Sequence, residues 1–190
     1  LWKKSEEGLV WDSPWGKGRP GWHIECSAMS MEALGETFDI HAGGADLKFP
    51  HHENEIAQSE AATGNRFANY WMHSGPLRIN QEKMSKSLDN FLTIRDALKD
   101  YSSEILRFFI LSSHYRSPIN FTGVSLEESK SSLQRLYTSI KDLDVSTGAV
   151  SSNSNHVKEF NKAMEDDFNV PEALAVLFDI TKSINKKKEQ

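Results

Sequence analysis

The sequence contains a single cysteine among its 190 residues, so no disulfide can form within the chain. Every apolar run is well below the roughly 18 residues that a membrane-spanning helix needs, and we expect no membrane insertion. A lone thiol suits a reducing compartment, which indicates a cytoplasmic protein. The sequence also lacks an initiator methionine and a signal peptide, so we interpret it as part of a longer protein.

The charge balance favours no single class of partner. The chain carries 22 Lys and Arg against 27 Asp and Glu, a net charge of −5, with 38% hydrophobic and 26% charged residues. These values are typical of an ordinary folded protein and exclude a disordered, collagen-like or wholly basic chain. Local basic stretches such as residues 182–188 could still contact phosphate.

The first part of the chain predicts an α/β fold. Its apolar residues alternate between the helical and the strand period, and Gly43 and Gly44 mark a loop where a strand ends. This succession is typical of a parallel sheet with helical crossovers, of which the stretch could form only a part. The predicted elements are a loop over 1–21, a helix over 22–34, a strand over 37–42, a helix over 51–62 and a strand over 69–79 interrupted at Gly75 and Pro76.

The second part predicts an α-helical domain. After a polar loop over residues 82–90, the apolar side chains recur at helical spacing, and each such face must pack on something. The predicted helices cover 103–111, 126–143, 157–168 and a last segment that starts at Asn169 and Pro171, with a linker over 145–155.

A candidate metal site is formed by Cys26 together with His51, His52 and Glu55. On a helix, His51 and Glu55 are four residues apart and point from one face to a common position. Thiolate, imidazole and carboxylate ligands suit zinc better than calcium or magnesium. The alternative, which the pattern alone favours, is a polar helix start beside an unrelated buried cysteine. Three ligands would leave either an open position or a fourth ligand outside this sequence.

A second candidate is the loop in which Gly43 and Gly44 precede Asp46. Open α/β sheets bind ligands where a strand ends, because glycines permit close backbone approach and a carboxylate can accept hydrogen bonds from ribose. Glycine and aspartate also occur in such loops for turn formation alone, and the spacing by itself favours that interpretation.

A third candidate is the segment Lys83-Met84-Ser85-Lys86-Ser87. Two ammonium groups and two hydroxyls in a short loop can fold over a triphosphate and stabilise charge on its leaving group. A solvated turn would have the same composition, and composition alone favours it because loops of lysine and serine are common.

That segment matches the second signature of class I aminoacyl-tRNA synthetases. Six other segments of the chain resemble segments of the cysteinyl-tRNA synthetase family and occur in the same order. The chain therefore resembles that family over nearly its whole length. The six segments are 21–27, 44–46, 49–55, 70–75, 107–116 and 166–177.

The resemblance implies that Cys26, His51 and Glu55 are zinc ligands. It also implies that Trp22 walls the amino-acid pocket and that Asp46 lies near the adenosine or the substrate. Each of these roles is an expectation carried over from the family.

The resemblance further places Lys83 and Lys86 in a mobile phosphate loop, as catalytic residues, with Lys86 also binding ATP. His52 is expected beside the ligands or the substrate, and the place of His23 is left open. The first class I signature, a His-x-Gly-His element, is absent here, and so is the cysteine that supplies the remaining zinc ligand. We expect the chain to be inactive by itself.

The implied fold is the second half of a Rossmann-type parallel-sheet catalytic domain over 1–80. A phosphate-loop and connecting helical region, which contacts the tRNA stem, is expected over 81–120. The start of a helical tRNA-binding domain on the anticodon side is expected over 121–190. The implied reaction is ATP-dependent activation of cysteine to cysteinyl-adenylate and transfer to tRNA(Cys). One Zn²⁺ per chain, ATP with Mg²⁺ as substrate and a monomeric protein complete the expectation.

Two other functions stay open at this point. A related ligase could activate cysteine identically and transfer it to an amino sugar in mycothiol synthesis. A non-catalytic metal-binding or RNA-binding module is the other alternative. The helical stretch after Asn155 favours tRNA, since a sugar ligase has less need of it.

Overall fold

The computed structural model describes residues 1–84, 92–144 and 154–190. These residues form two compact units, Leu1–Ser74 and Gly75–Gln190. Lys86 and most of the predicted linker lie outside the described residues.

The first unit is built around a parallel pair of strands. Strand β3 (Phe38–Gly44) pairs with β4 (Ala68–Ser74), with Phe38 opposite Ala68 and Gly44 opposite Ser74. Helix α1 (His23–Leu34) precedes β3, and helix α2 (Glu53–Thr63) forms the crossover between the two strands. A parallel pair with a helical crossover confirms the predicted α/β class.

The core of this unit is aromatic. Phe38, Phe67 and Ala68 are buried, and Met31 of α1 and Trp71 of β4 pack against them. The rings of Phe38 and Phe67 meet edge to face with centroids 5.0 Å apart. Burying one such phenyl ring contributes about 1.5–3 kcal/mol, so this cluster holds α1 against the strand pair.

Glycines end both helices of the first unit. Gly35 follows α1 with φ 91°, and Gly64 follows α2 with φ 73°. Side chains rarely adopt this left-handed region, so glycine is favoured at both positions. The predicted helix ends are confirmed here.

The predicted loop over residues 1–21 was wrong in part. Strand β1 (Trp2–Lys4) pairs antiparallel with β2 (Gly18–Pro20), with Trp2 opposite Pro20. Strands of three residues are too short to show an alternating pattern. The close pairing requires glycine at position 18, because a Cβ there would lie 2.3 Å from the carbonyl oxygen of Lys3.

Two further boundaries differ from the prediction. The second helix starts at Glu53, because a 3₁₀ turn (Ala45–Leu47) and a wide π-type turn (Lys48–His52) carry the chain from β3 into it. The predicted strand over 69–79 is two strands, since the chain leaves the parallel pair after Ser74. Gly75 and Pro76 were the sequence signal for that break.

The second unit begins with a small sheet. Strand β5 (Leu77–Ile79) lies between β6 (Glu82–Lys83), which is antiparallel to it, and β7 (Ile119–Phe121), which is parallel. The described helices that surround it are α3 (Ile94–Asp100), α4 (Ser103–Leu111), α5 (Gly123–Ile140), α6 (Asn155–Glu165) and α7 (Val170–Lys188). No helix among the described residues is long and apolar enough to cross a membrane.

These five helices begin at residues whose side chains accept a hydrogen bond from the backbone of the first turn. This satisfies amide groups that would otherwise have no partner. At α7 the cap is Asn169, with Pro171 in the first turn, as predicted. Helix α6 ends at Glu165, earlier than predicted, because Asp167 and Phe168 leave the helical conformation. The caps are Thr93, Ser102, Thr122, Ser154 and Asn169.

Candidate metal centre

The packing of α1 against α2 brings Cys26, His51 and Glu55 together. One ligand atom from each lies within 4.8 Å of the others. His51 and Glu55 are 4% and 0% exposed, whereas Cys26 is half-buried. Thiolate, imidazole and carboxylate form a donor set that suits zinc. Their role as ligands stays a prediction, but the structure places all three where one ion could contact them.

Glu55 is the centre of this cluster. Its Oε1 lies 2.5 Å from His51 Nε2 and its Oε2 lies 2.8 Å from His41 Nε2. Burial raises the pKa of Glu55 from 4.5 to about 7. A buried carboxylate whose neighbours are imidazoles lacks a compensating positive charge, and a divalent cation would provide one. The site therefore fits a metal on electrostatic grounds.

The cysteine thiol responds to the same environment. Burial raises the pKa of Cys26, and the nearby carboxylate of Glu55 raises it further. The thiol is thus protonated in the protein without a metal. A coordinated thiol is deprotonated outright, so a cation at this point would reverse the shift.

Both ring nitrogens of His51 are engaged. Nε2 faces Glu55, and Nδ1 lies 2.7 Å from Nδ1 of His23, so that one ring donates to the other. The indole of Trp22 stacks on the His51 ring with centroids 3.9 Å apart and planes 24° apart. The half-exposed Trp22 therefore has one face on the cluster. Its predicted place in an amino-acid pocket stays a prediction.

Sequence reasoning missed His41 and His73. His41 contacts Glu55, and His73 Nε2 lies 2.9 Å from Nδ1 of His52. His41, His52 and Glu55 form a second group whose ligand atoms lie within 4.8 Å. The available signal was position on neighbouring parallel strands: His73 stands near the carboxyl end of β4, where such sheets bind ligands, and His41 is the middle residue of β3.

Gly43 leaves room for the His52 ring of this second group. A Cβ there would lie 2.8 Å from Cε1 of the buried His52 ring. The predicted approach of a ligand to Gly43 stays a prediction, and the structure shows that the ring of His52 lies against this glycine. Desolvation, then the nearby His41 and other histidines, lowers the pKa of His52 from 6.5 to about 4. His52 is therefore neutral near pH 7.

Three other predicted site residues, Asp46, Lys83 and Lys86, are not among the clustered ligand residues. Asp46 is in the 3₁₀ turn that follows β3. Lys83 is the last residue of β6, in the second unit, and Lys86 is outside the described residues. The predicted roles of Asp46, Lys83 and Lys86 therefore stay predictions.

Two family models match the chain. The model described as tRNA synthetases class I (C) catalytic domain matches residues 1–131. A DALR domain model matches residues 159–190. The chain belongs to the class I (C) tRNA synthetase family. The family resemblance noted in the sequence is confirmed.

Curated relatives of this synthetase chain are named cysteine–tRNA ligase. Those of Hahella chejuensis and Halorhodospira halophila are 60% and 57% identical over the whole chain. That of Ralstonia pickettii is 58% identical over 99% of it. The chain spans 42%, 41% and 42% of the length of these three relatives.

A solved structure shares the fold of this synthetase chain. It is the Agrobacterium radiobacter K84 agnB2 LeuRS in a ternary complex with tRNA and LeuAMS. The TM-score is 0.69 at 13% identity, over 95% of this chain and 29% of that one. At this identity the likeness concerns the fold alone.

Proposed function

We propose that this chain is the part of a cysteine–tRNA ligase that recognises cysteine and begins the helical tRNA-binding region. The observation that carries the proposal is the cluster of the half-buried Cys26 with the buried His51 and Glu55. The names of relatives at 54–60% identity support it.

A metal ion at this cluster would let the enzyme distinguish cysteine from serine. Cysteine and serine differ by one atom, and a pocket that distinguishes near-isosteres by shape achieves only about 10- to 200-fold selectivity. A zinc ion held by Cys26, His51 and Glu55 would supply a soft Lewis acid that prefers the substrate thiolate to a hydroxyl. The chain's own residues provide one thiolate and one carboxylate, so two negative charges balance the cation.

The surrounding residues orient the ligands. His23 engages one nitrogen of His51, and Trp22 covers its ring face, so the imidazole is held in one orientation. Groups that fix a metal-ligating histidine contribute to metal affinity, and their loss typically costs about 10- to 100-fold. Trp22 then has a second face toward which the substrate side chain could lie.

Lys83 and Lys86 act in the chemical step. The carboxylate of cysteine attacks the α-phosphorus of ATP, the bond to the β-phosphate oxygen breaks, and pyrophosphate leaves with its electron pair. Two ammonium groups would stabilise the charge that moves onto the pyrophosphate. The second step transfers the cysteinyl group to the 3′-terminal ribose of tRNA(Cys).

The domain division and the partners belong to the same proposal. Residues 1–80 would complete a Rossmann-type catalytic domain, 81–120 would carry the phosphate loop, and 121–190 would start the tRNA-binding helices. The partners would be cysteine, ATP with Mg²⁺ and tRNA(Cys), in a monomeric cytoplasmic enzyme. Because the first class I signature is absent from this sequence, we propose that the chain alone does not activate cysteine.

The alternative of an amino-sugar ligase shares the candidate metal cluster. The DALR match over residues 159–190 supports tRNA as the acceptor. Charging of tRNA(Cys) by the complete enzyme, compared with transfer to an amino sugar, separates the two.

The test uses cysteine-dependent ATP–pyrophosphate exchange by the complete enzyme, with serine as competitor and zinc measured alongside. Glu55→Gln should abolish zinc retention and cysteine-dependent exchange together. Glu53→Gln is the matched control, because Glu53 is an exposed carboxylate in the first turn of the same helix. Full exchange by a zinc-free Glu55→Gln enzyme would contradict the proposal.

A further inference from the structure

A polar cluster in the second unit lies outside the residues assigned above. It joins the turn after α4, which contains His114, Tyr115 and Arg116, to Asp167 in the connection between α6 and α7. The turn falls within the match to the catalytic-domain family, and Asp167 falls within the match to the DALR domain.

Asp167 binds two adjacent residues of the turn through both of its oxygens. Oδ1 accepts a hydrogen bond from the Tyr115 hydroxyl at 2.7 Å, and Oδ2 lies 2.6 Å from Arg116 Nε. The Nε of Arg116 also donates to the Tyr115 hydroxyl at 3.0 Å. These hydrogen bonds lower the pKa of Asp167, with Arg116 as the largest cause. The three groups therefore form a closed ring of hydrogen bonds.

The backbone that presents Asp167 is unusual. Asp167 and Phe168 have φ values of 53° and 54°, in the left-handed region that non-glycine residues rarely adopt. Two consecutive residues of this kind persist only where surrounding contacts determine them. The pairing with Tyr115 and Arg116 is such a contact. It fixes the corner at which α6 ends and α7 begins.

The turn that carries Tyr115 and Arg116 is also held in place, by backbone hydrogen bonds. The amide of Gly75 donates to the carbonyl oxygen of Tyr115 at 2.8 Å, and the amide of Ser117 donates to that of His114 at 2.9 Å. A Cβ at Gly75 would lie 2.3 Å from the carbonyl of Ser117, so only glycine fits this approach. The turn is thus anchored to the start of the second unit and leads into β7.

We propose that Asp167 is a positioning residue that fixes the direction of α6 and α7 relative to the turn at 114–117, and thereby sets tRNA affinity. This inference rests on the proposed function. Arg116 and Asp167 are 59% and 42% exposed, so the ion pair adds little to stability. Its effect lies in geometry, because two donors on adjacent residues leave the carboxylate one orientation.

The test measures two half-reactions of the complete enzyme. Asp167→Asn keeps the shape of the side chain and removes its charge. We expect the KM for tRNA(Cys) to rise about 5-fold, the low end of typical coupling between sites, while cysteine-dependent ATP–pyrophosphate exchange is unchanged. Asp166→Asn is the matched control, since the adjacent exposed carboxylate forms no ion pair with the described residues. It should leave both measurements unchanged.

A double variant identifies the partner. Arg116→Gln should reproduce the effect of Asp167→Asn, and the combined variant should be no worse than either alone. Tyr115→Phe removes the hydroxyl and with it two hydrogen bonds, to Asp167 and from Arg116. It should raise the KM in the same direction, which keeps the test available if Asp167→Asn does not fold.

The outcomes separate this inference from the proposed function. A wild-type enzyme without cysteine-dependent exchange overturns the proposed function. A wild-type enzyme with exchange, whose Asp167→Asn and Tyr115→Phe variants keep the normal KM for tRNA, overturns the positioning role alone. Equal losses in both half-reactions, together with a lower melting temperature, would also overturn it, because they indicate a purely structural contact.

Discussion

Replacing Glu55 by glutamine should stabilise the metal-free chain at high pH and remove its response to zinc. Glu55 is fully buried, and burial raises its pKa from 4.5 to about 7. At about 1.4 kcal/mol per pH unit, this shift opposes the charged form by about 3 kcal/mol. Glutamine has nearly the same shape and no charge, so it avoids that penalty.

The sign of the pH dependence follows from the raised pKa. The stability contributed by the protonated carboxyl is fully present below pH 4.5 and is lost as the pH rises through about 7. The free energy of unfolding of Glu55→Gln minus that of the wild type should therefore increase by about 3 kcal/mol between pH 4.5 and pH 8. Histidines titrate in both proteins, and the difference removes the part of their contributions that does not depend on the charge of Glu55.

The assay is urea unfolding in the presence of a chelator, followed by tryptophan fluorescence. All five tryptophans lie within residues 1–74, so this signal reports on the first unit alone. Glu53→Gln is the control and should show no such pH-dependent difference. Zinc added at pH 8 should then stabilise the wild type and not Glu55→Gln, because binding to the folded state adds stability.

Two results would refute the reasoning. If Glu55→Gln were less stable than the wild type at pH 8 without metal, the carboxylate would have a compensating charge that the structure does not show. If zinc stabilised both proteins equally, Glu55 would not contact the ion.

Three further predictions concern the same sites. Cys26→Ser in the complete enzyme should reduce the preference for cysteine over serine to about 10- to 200-fold, measured by competitive exchange, since only shape would then discriminate; undiminished selectivity in the folded variant would make Cys26 a packing residue. Lys86→Ala should slow adenylate formation far more than it weakens cysteine binding, as measured by pre-steady-state kinetics, because its charge is needed mainly in the transition state. An unchanged rate with altered affinity would contradict that role. The chain alone should bind zinc more weakly than the complete enzyme in competition with a chromophoric chelator, because three protein ligands leave a tetrahedral site incomplete; equal affinity would show that the three suffice.

The sequence allowed the α/β class to be predicted because its signals are local. Gly35 and Gly64 mark helix ends, and both have a positive φ, which favours glycine. The β1 and β2 strands were missed because strands of three residues have no detectable period. Their pairing joins residues far apart in the sequence, such as Lys3 opposite Arg19, and no short window contains both.

The candidate ligands were also predictable only where their contacts are local in the sequence. His51 and Glu55 are one helical turn apart, so their proximity follows from helix geometry. The contact of His41 with Glu55 requires that β3 and α2 pack together, and that of His73 with His52 requires the register of β3 against β4. Both contacts depend on tertiary packing, which a local sequence pattern does not show. The presence of a histidine in each of two neighbouring parallel strands was the only sequence signal.

Glu55 makes these histidines and the cysteine one electrostatic unit. Its two oxygens face two groups, Cys26 with His51 and His41 with His52, and burial shifts each of these five side chains toward its neutral form. A cation bound on the Cys26 side would hold Glu55 ionised, and its other oxygen would then accept a hydrogen bond from a protonated Nε2 of His41. Titrations of coupled groups belong to the cluster rather than to single residues. Zinc binding should therefore be measured together with the protonation of His41, because the two are joined through one carboxylate.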